Sequence, residues 1–379
     1  MKAYRKAGIV GMLAILLFGA GLTQAGTDLN EVGAFLVYPL VAGFSFSPSW
    51  EGDGYYGANI ETFVTVTNTS TTKNIVAHIS YINGERYDYF ECYECDFDLP
   101  LTPTDTEVLV VTYGQYGTTI ESEDRTISRA CPHKFGFIVA SVEIGGVTVG
   151  DNVLLGSEVV IEYNSGAALS IPAIPFQGNS TNNGDRIYSF SDTGEYKGFP
   201  RVVAADFLAP NFSYYEPTIV GGLALFTLGF ERQFPPLVDC SVTGYDAAEH
   251  KFSRSLQFGC WTFKDLCDVD PEFCWPNLSA TPCDPDENDL DEPFCHTHGW
   301  LQLNCRVDQD WNGTWDSDGG VHGALVQVAG PGAVLRRNDD YAPELYGWAA
   351  WARLLYQSIS NGQPGVTLEL EGVPPDIGG

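Results

Sequence analysis

Positive charge is scarce in this chain. Only 19 Lys and Arg stand against 49 Asp and Glu, and the formal net charge is −30 at pH 7. Such a field repels phosphate backbones and anionic lipid heads, so nucleic acid is excluded as a partner. It favours solubility and attracts cations, calcium among them. Long apolar runs are missing beyond the N-terminus, so no membrane span is expected in the mature chain. Four chemical signatures are also missing: G-x-S-x-G, H-E-x-x-H, the P-loop and the dinucleotide-binding glycine pattern. Their absence leans against an enzyme. The paired carboxylates of a glycosidase have no fixed spacing, so that activity stays open. No repeat of solenoid length recurs.

The chain opens with a leader. Lys2, Arg5 and Lys6 precede an apolar run over residues 7–22, and Thr23-Gln24-Ala25 places small residues where a signal peptidase reads. Residues 1–25 are therefore expected to be a secretory signal. An uncleaved anchor is the alternative, but the run is shorter than the roughly 20 apolar residues of a span. The mature protein is expected outside the cytoplasm, secreted, at the cell surface or in the periplasm. Hydrophobic residues make up 44% and aromatics 13%, which fits a globular chain rather than a disordered one. The mature chain is long enough for two cores.

Alternation of apolar and polar residues is clearest over residues 61–83. Thr62, Val64 and Val66 share one face of a strand. After a polar turn over residues 68–74, Ile75, Ala77, Ile79 and Tyr81 share a face, and Val76, His78, Ser80 and Ile82 point the other way. The pattern predicts an antiparallel pair joined by that turn. Further strands are expected over residues 32–48, 106–113, 134–144, 147–163 and 168–176. Short strands with turn signals at this spacing predict a first β-sandwich over residues 26–176. Residues 177–201 are polar and Gly-rich, and read as a linker or long loop. A second β domain is expected over residues 202–340, interrupted by an acidic, Cys-bearing insert at residues 264–292. Pro343, an apolar stripe of Leu345, Trp348, Ala352 and Leu355, and a closing Asn361-Gly362 predict one helix over residues 341–362. Residues 363–379 read as a flexible tail. The fold expected is mainly β: two antiparallel sandwiches, one C-terminal helix and a disulfide-rich acidic loop.

Three stretches carry a resemblance. A first strand holding Tyr38-Pro39-Leu40, the run from Cys95 through Asp96-Phe97-Asp98 to Thr106, and residues 205–210 together resemble uncharacterised secreted proteins of environmental bacteria. The likeness spans about half the chain. It implies export and a β-rich fold, and implies no activity.

Ten cysteines, at Cys92, Cys95, Cys131, Cys240, Cys260, Cys267, Cys274, Cys283, Cys295 and Cys305, point to disulfides in an exported protein. Three precede the proposed linker and seven come after it. Either one bridge crosses between the halves, one thiol on each side is free, or the boundary lies elsewhere. Cys92, Cys95, Cys131 and His133 also have the spacing of a zinc site, the alternative being a bridge from Cys92 or Cys95 to Cys131. Asp308, Asp310, Asn312, Asp316 and Asp318 place oxygen ligands in a D-x-D-x-N-G loop that suits calcium. Gly319 stands where an EF-hand needs its bidentate Glu, so the loop would be a calcium site of another kind, or an acidic hairpin turning at Asn312-Gly313. Asp284 to Glu292 is a weaker acidic loop, and His296 and His298 could pair on a metal. Trp50, Tyr55, Tyr56, Trp311 and Trp315 could stack on sugar rings. Asn68 and Asn312 begin glycosylation sequons. The composite reading is a secreted structural, adhesive or binding protein with an extracellular glycan or protein surface as partner. A calcium-supported carbohydrate-binding module or glycosidase is the alternative.

Overall fold

The computed structural model describes residues 31–42, 60–84, 92, 94–113, 117–131, 135–144, 147–162, 167–178, 187–190, 194–196, 198, 202–208, 219–229, 236–245, 251–273, 298–308, 313–315, 317–318, 320–329, 349–357 and 366–369. Strands dominate, as the alternation predicts, and most of them form two sandwiches.

The first sandwich has sheet I, ordered Ile174–Phe176, Phe35–Ala42, Phe135–Ile144, Ile75–Asn83, Glu94–Leu101. Facing it is sheet II, ordered Ala167–Pro172, Leu154–Glu162, Ile60–Asn68, Thr106–Tyr113, Thr118–Ser122, Ser128–Cys131. The second sandwich has sheet III, ordered Lys251–Phe258, Leu237–Tyr245, His298–Asp308, Val202–Leu208, Tyr356–Gln357. Sheet IV covers it, ordered Trp261–Asp265, Ile219–Thr227, Val321–Ala329, Ala349–Leu354. Neighbouring strands in these orders run antiparallel.

Three of the expectations are overturned. Residues 177–201 and 363–379 are not a plain linker and a free tail, because Ile187–Phe190 and Val366–Glu369 pair antiparallel in a separate two-stranded sheet. Ile60–Asn68 and Ile75–Asn83 are not a hairpin: the first pairs in sheet II and the second in sheet I. The polar turn between them is an arch that carries the chain across the core. Val64 and Val66 therefore meet Ile75, Ala77, Ile79 and Tyr81 face to face inside the sandwich. Both strands bury an apolar face, and stacking the two faces removes more surface from water than side-by-side pairing would. Asn68 holds the arch: its Nδ2 donates to the carbonyls of Lys73 and Thr102, and its Oδ1 accepts from Ser70 N–H. Fully buried, it is not a glycan acceptor in the folded protein. The helix expected over residues 341–362 is also overturned at residues 349–357, the part of it that is described. Ala349–Leu354 is a strand, paired with Val321–Ala329. A short apolar run does not distinguish helix from buried strand, and the open edge of sheet IV supplied the backbone partners that decided it. Among the described residues the one α-helix is Leu266–Val269, in the acidic insert.

Three cores result. One fills the first sandwich and one the second. The third lies between the sandwiches and joins Phe35, Val37, Phe137 and Val139 to Ala224, Phe226, Trp261 and Phe263. This explains strands that carry apolar side chains on both faces. In Ile219–Thr227, Leu223 and Leu225 face the second sandwich while Ala224 and Phe226 face the first. In Phe135–Ile144, Ile138, Ala140 and Val142 face inward while Phe137 and Val139 face outward to the shared core.

The shared core is anchored at an irregularity in Phe35–Ala42. Its register to Phe135–Ile144 shifts between Tyr38 and Val41. Pro39 lies there, and a residue without an N–H fits an interior strand at such a bulge. The bulge frees two backbone groups. Leu40 N–H donates to Glu158 Oε1 at 3.0 Å. Trp261 Nε1–H, from the other half, donates to the Pro39 carbonyl at 2.8 Å. Gly84 lies against this indole: a Cβ there would stand 2.5 Å from Trp261 Cβ. Beside it, Cys260 is bonded to Cys92, a bridge spanning 168 residues.

Trp261 both fills the shared core and satisfies the bulge, so truncating it removes both. Trp261→Ala is expected to lower stability by about 3–5 kcal/mol. Trp261→Phe, which keeps an aromatic and loses the donor, is expected to cost about 1–3 kcal/mol. Urea unfolding followed by near-UV circular dichroism measures both.

Candidate functional site

Sheet I is apolar at one end of its outer face, where the second sandwich covers it, and polar at the other. Period two places Ser80 and His78 of Ile75–Asn83, Asp96 and Asp98 of Glu94–Leu101, and Ser141 and Glu143 of Phe135–Ile144 on that face. The register pairs His78 with Asp98 on one side and with Ser141 on the other, and Ser80 with Asp96. His78, Ser80, Ser141 and Glu143 are buried. His78 Nδ1 lies 2.9 Å from Asp98 Oδ1 and its Nε2 lies 3.7 Å from Asp96 Oδ2. Ser80 Oγ–H donates to Glu94 Oε1 at 2.6 Å. Ser141 Oγ and the Tyr188 hydroxyl are 3.2 Å apart. A pocket of about 440 Å³ opens nearby, with Val76, Pro100, Glu143 and the exposed Ile144 in its wall. Alternation alone sets His78 and Ser80 on one face, and it does not reach their partners on the neighbouring strands. A signal for those partners exists: Asp96-Phe97-Asp98 alternates in a strand, which sets two carboxylates on one side.

The calcium loop is seen only at its base. Asp308 ends the strand His298–Asp308, and its Oδ2 accepts Gly313 N–H at 3.0 Å. Gly313 has φ +79°, with nothing within 4 Å of a Cβ placed on it, so the turn needs glycine for its backbone and not for space. The Asp308 carboxyl is buried, and Oδ1 has no hydrogen-bond partner among the described residues. Asp318 re-enters a strand whose backbone pairs with Arg306. Asp310, Asn312 and Asp316 lie outside the described residues, as do Trp50, Tyr55, Tyr56, Trp311, His296 and the acidic residues 284–292. Trp315 is described, and the Arg306 guanidinium sits 3.9 Å from its ring centroid. One face of that ring is therefore taken by a cation and closed to a sugar.

The cysteines resolve the parity of the halves. Cys95 bonds Cys131, Cys240 bonds Cys305, and Cys92 bonds Cys260 across the two sandwiches. The zinc reading of Cys92, Cys95, Cys131 and His133 is overturned, because oxidised sulfurs are not thiolate ligands. Cys267 is also disulfide-bonded, and no described cysteine is free. Cys274, Cys283, Cys295 and His133 lie outside the described residues.

Two buried titratable groups are structural. Glu158 is fully buried, and burial pushes its carboxyl well above the usual range. His322 lies in the core on Phe226, with ring centroids 6.3 Å apart. Burial lowers its pKa to about 4, and Gly323 N–H donates to its Nδ1 at 2.7 Å. On sheet III, Tyr245 and Trp300 stack at 4.2 Å between centroids, and Trp300 is among the exposed large apolar side chains.

No protein family, curated protein or solved structure matches this chain.

The two buried groups bound the pH range from opposite sides. His322 folds neutral, so its contribution is present above pH 6.5 and is lost as pH falls through about 4. Glu158 folds protonated, so folding takes up a proton once pH passes the ordinary value of 4.5, and stability falls as pH rises further. Glu158→Gln keeps an acceptor for Leu40 N–H and removes the titration. The variant is expected to gain stability relative to the parent as pH rises above 4.5. Urea midpoints across a pH series measure the divergence, and parallel curves would contradict it.

Proposed function

We propose that the protein is a non-enzymatic structural, adhesive or binding protein that works outside the cytoplasm, at the cell surface or in extracellular material. The observation that carries this reading is the oxidised Cys92–Cys260 bridge lying over the shared core. A bridge closing so long a loop constrains the unfolded chain strongly, and such bridges persist in oxidising compartments. Its placement ties the two sandwiches into one crosslinked body suited to bearing load or presenting a surface. The acidic composition keeps that surface soluble and turns it away from anionic polymers.

A calcium-supported carbohydrate-binding module is the second reading. Asp308 favours it: a buried carboxylate oxygen without a hydrogen-bond partner among the described residues, at the base of an oxygen-rich loop, is placed as a cation ligand would be.

Binding and turnover separate these readings from a glycosidase. The protein is incubated with insoluble polysaccharides and immobilised matrix proteins, with and without a calcium chelator, and released reducing sugar is measured. Retention without sugar release is expected. Retention lost with chelator and in Asp308→Asn would select the second reading. Sugar release that scales with protein concentration would overturn both.

A further inference from the structure

The polar end of sheet I holds an arrangement that neither reading above uses. We infer that His78 Nε2, Asp96 and Glu94 form a binding site for a divalent transition-metal ion. One ligand atom from each of these three residues lies within 4.8 Å of the other two.

The hydrogen bonds around the imidazole set its tautomer. With Asp98 Oδ1 2.9 Å away, Nδ1–H is the donor, and Nε2 carries the lone pair. The ring is only 6% exposed, and its Nε2 is turned toward a carboxylate. The carboxylate it faces, Asp96 Oδ2, is 3.7 Å away. That is beyond a hydrogen bond. It is close to the spacing of two atoms that each lie about 2.0–2.2 Å from one ion.

The surroundings also match. A metal-binding imidazole commonly donates its other N–H to a carboxylate, and Asp98 is that carboxylate. Ligating carboxylates are themselves held, and Ser80 Oγ–H holds Glu94. All these side chains project from adjacent strands of one sheet in fixed register, so the set is placed by rigid elements. One imidazole nitrogen and two carboxylates suit zinc, manganese or cobalt better than calcium, which prefers oxygen alone. A second grouping, His78 with Asp98 and Glu143, also falls within 4.8 Å. In that grouping Asp98 is already taken up as the acceptor of the Nδ1–H hydrogen bond. Glu143 then adds negative charge beside the site and lines the neighbouring pocket.

The test uses the full oxidised chain, made without an affinity tag and stripped with chelator. Zn²⁺ is titrated by calorimetry, and Co²⁺ by visible absorption. One equivalent of Zn²⁺ is expected, with a Co²⁺ ligand-field band that Zn²⁺ displaces. His78→Gln, Asp96→Asn and Glu94→Gln should each lose the saturable uptake while keeping the parent's far-UV circular dichroism. Asp98→Asn should weaken binding by about 10–100-fold, as removal of a supporting carboxylate does. No saturable uptake by the parent would overturn the inference. So would uptake that survives at full strength in both His78→Gln and Asp96→Asn, or that is lost in Glu143→Gln while Asp96→Asn retains it.

Discussion

A single kink in the first strand sets the terms for the rest of the fold. Where Phe35–Ala42 bulges at Pro39 and Leu40, one carbonyl and one N–H leave the ladder inside a buried sheet. Each unpaired group there would cost about 1–3 kcal/mol. The carbonyl is capped by the Trp261 indole and the N–H by the Glu158 carboxyl. The two partners come from different places, one from the second sandwich and one from sheet II. The bulge thus couples the halves from outside and the two sheets of the first sandwich from within. Other features depend on it. Gly84 must be small to let the indole approach, and Cys260, next in sequence to Trp261, is brought to Cys92. Glu158 takes a proton because it serves the bulge from an apolar interior.

The interaction also accounts for what could and could not be read from the amino acids. Period-two alternation revealed the strands of both sandwiches, because one-face burial leaves that pattern. It could not tell which strands pair. Residues 61–83 look the same as a hairpin or as an arch, since both bury Val64, Val66, Ile75 and Ile79. Strands that carry apolar side chains on both faces, such as Ile219–Thr227, hinted at burial on both sides, yet the second covering layer is known only from tertiary packing. Around Ala349–Leu354, Trp348, Ala352 and Leu355 fit helical spacing, and the decision lay with the free edge of Val321–Ala329, which no local window contains. The odd cysteine counts on either side of the linker allowed a crossing bridge and could not choose its ends. Polar sites were harder still. The loop at Asp308 was conspicuous because its ligands are contiguous. The cluster at His78 was not, because it is assembled from strands separated in the chain.

Charge is distributed in the opposite sense to the hydrophobic layers. The chain carries a large acidic excess, and burial shifts two interior groups toward their neutral forms, Glu158 by raising its pKa and His322 by lowering it. Carboxylates that converge near the surface give cations favourable places to go. The polar end of sheet I and the loop based on Asp308 are two such places, and they differ in donor chemistry. One offers an imidazole nitrogen and the other offers oxygen. A scaffold crosslinked through its own core can hold either without rearrangement, because the strands that carry the ligands are pinned by disulfides and by the indole contact.

The fold stands on the halves being joined at the bulge, and the bridge beside it reports that directly. The non-reduced protein is digested with thiols blocked, and the crosslinked peptides are identified by mass spectrometry. The structure predicts Cys92 linked to Cys260, Cys95 to Cys131 and Cys240 to Cys305. A Cys92–Cys131 bridge, or a blocked and unpaired Cys260, would contradict it.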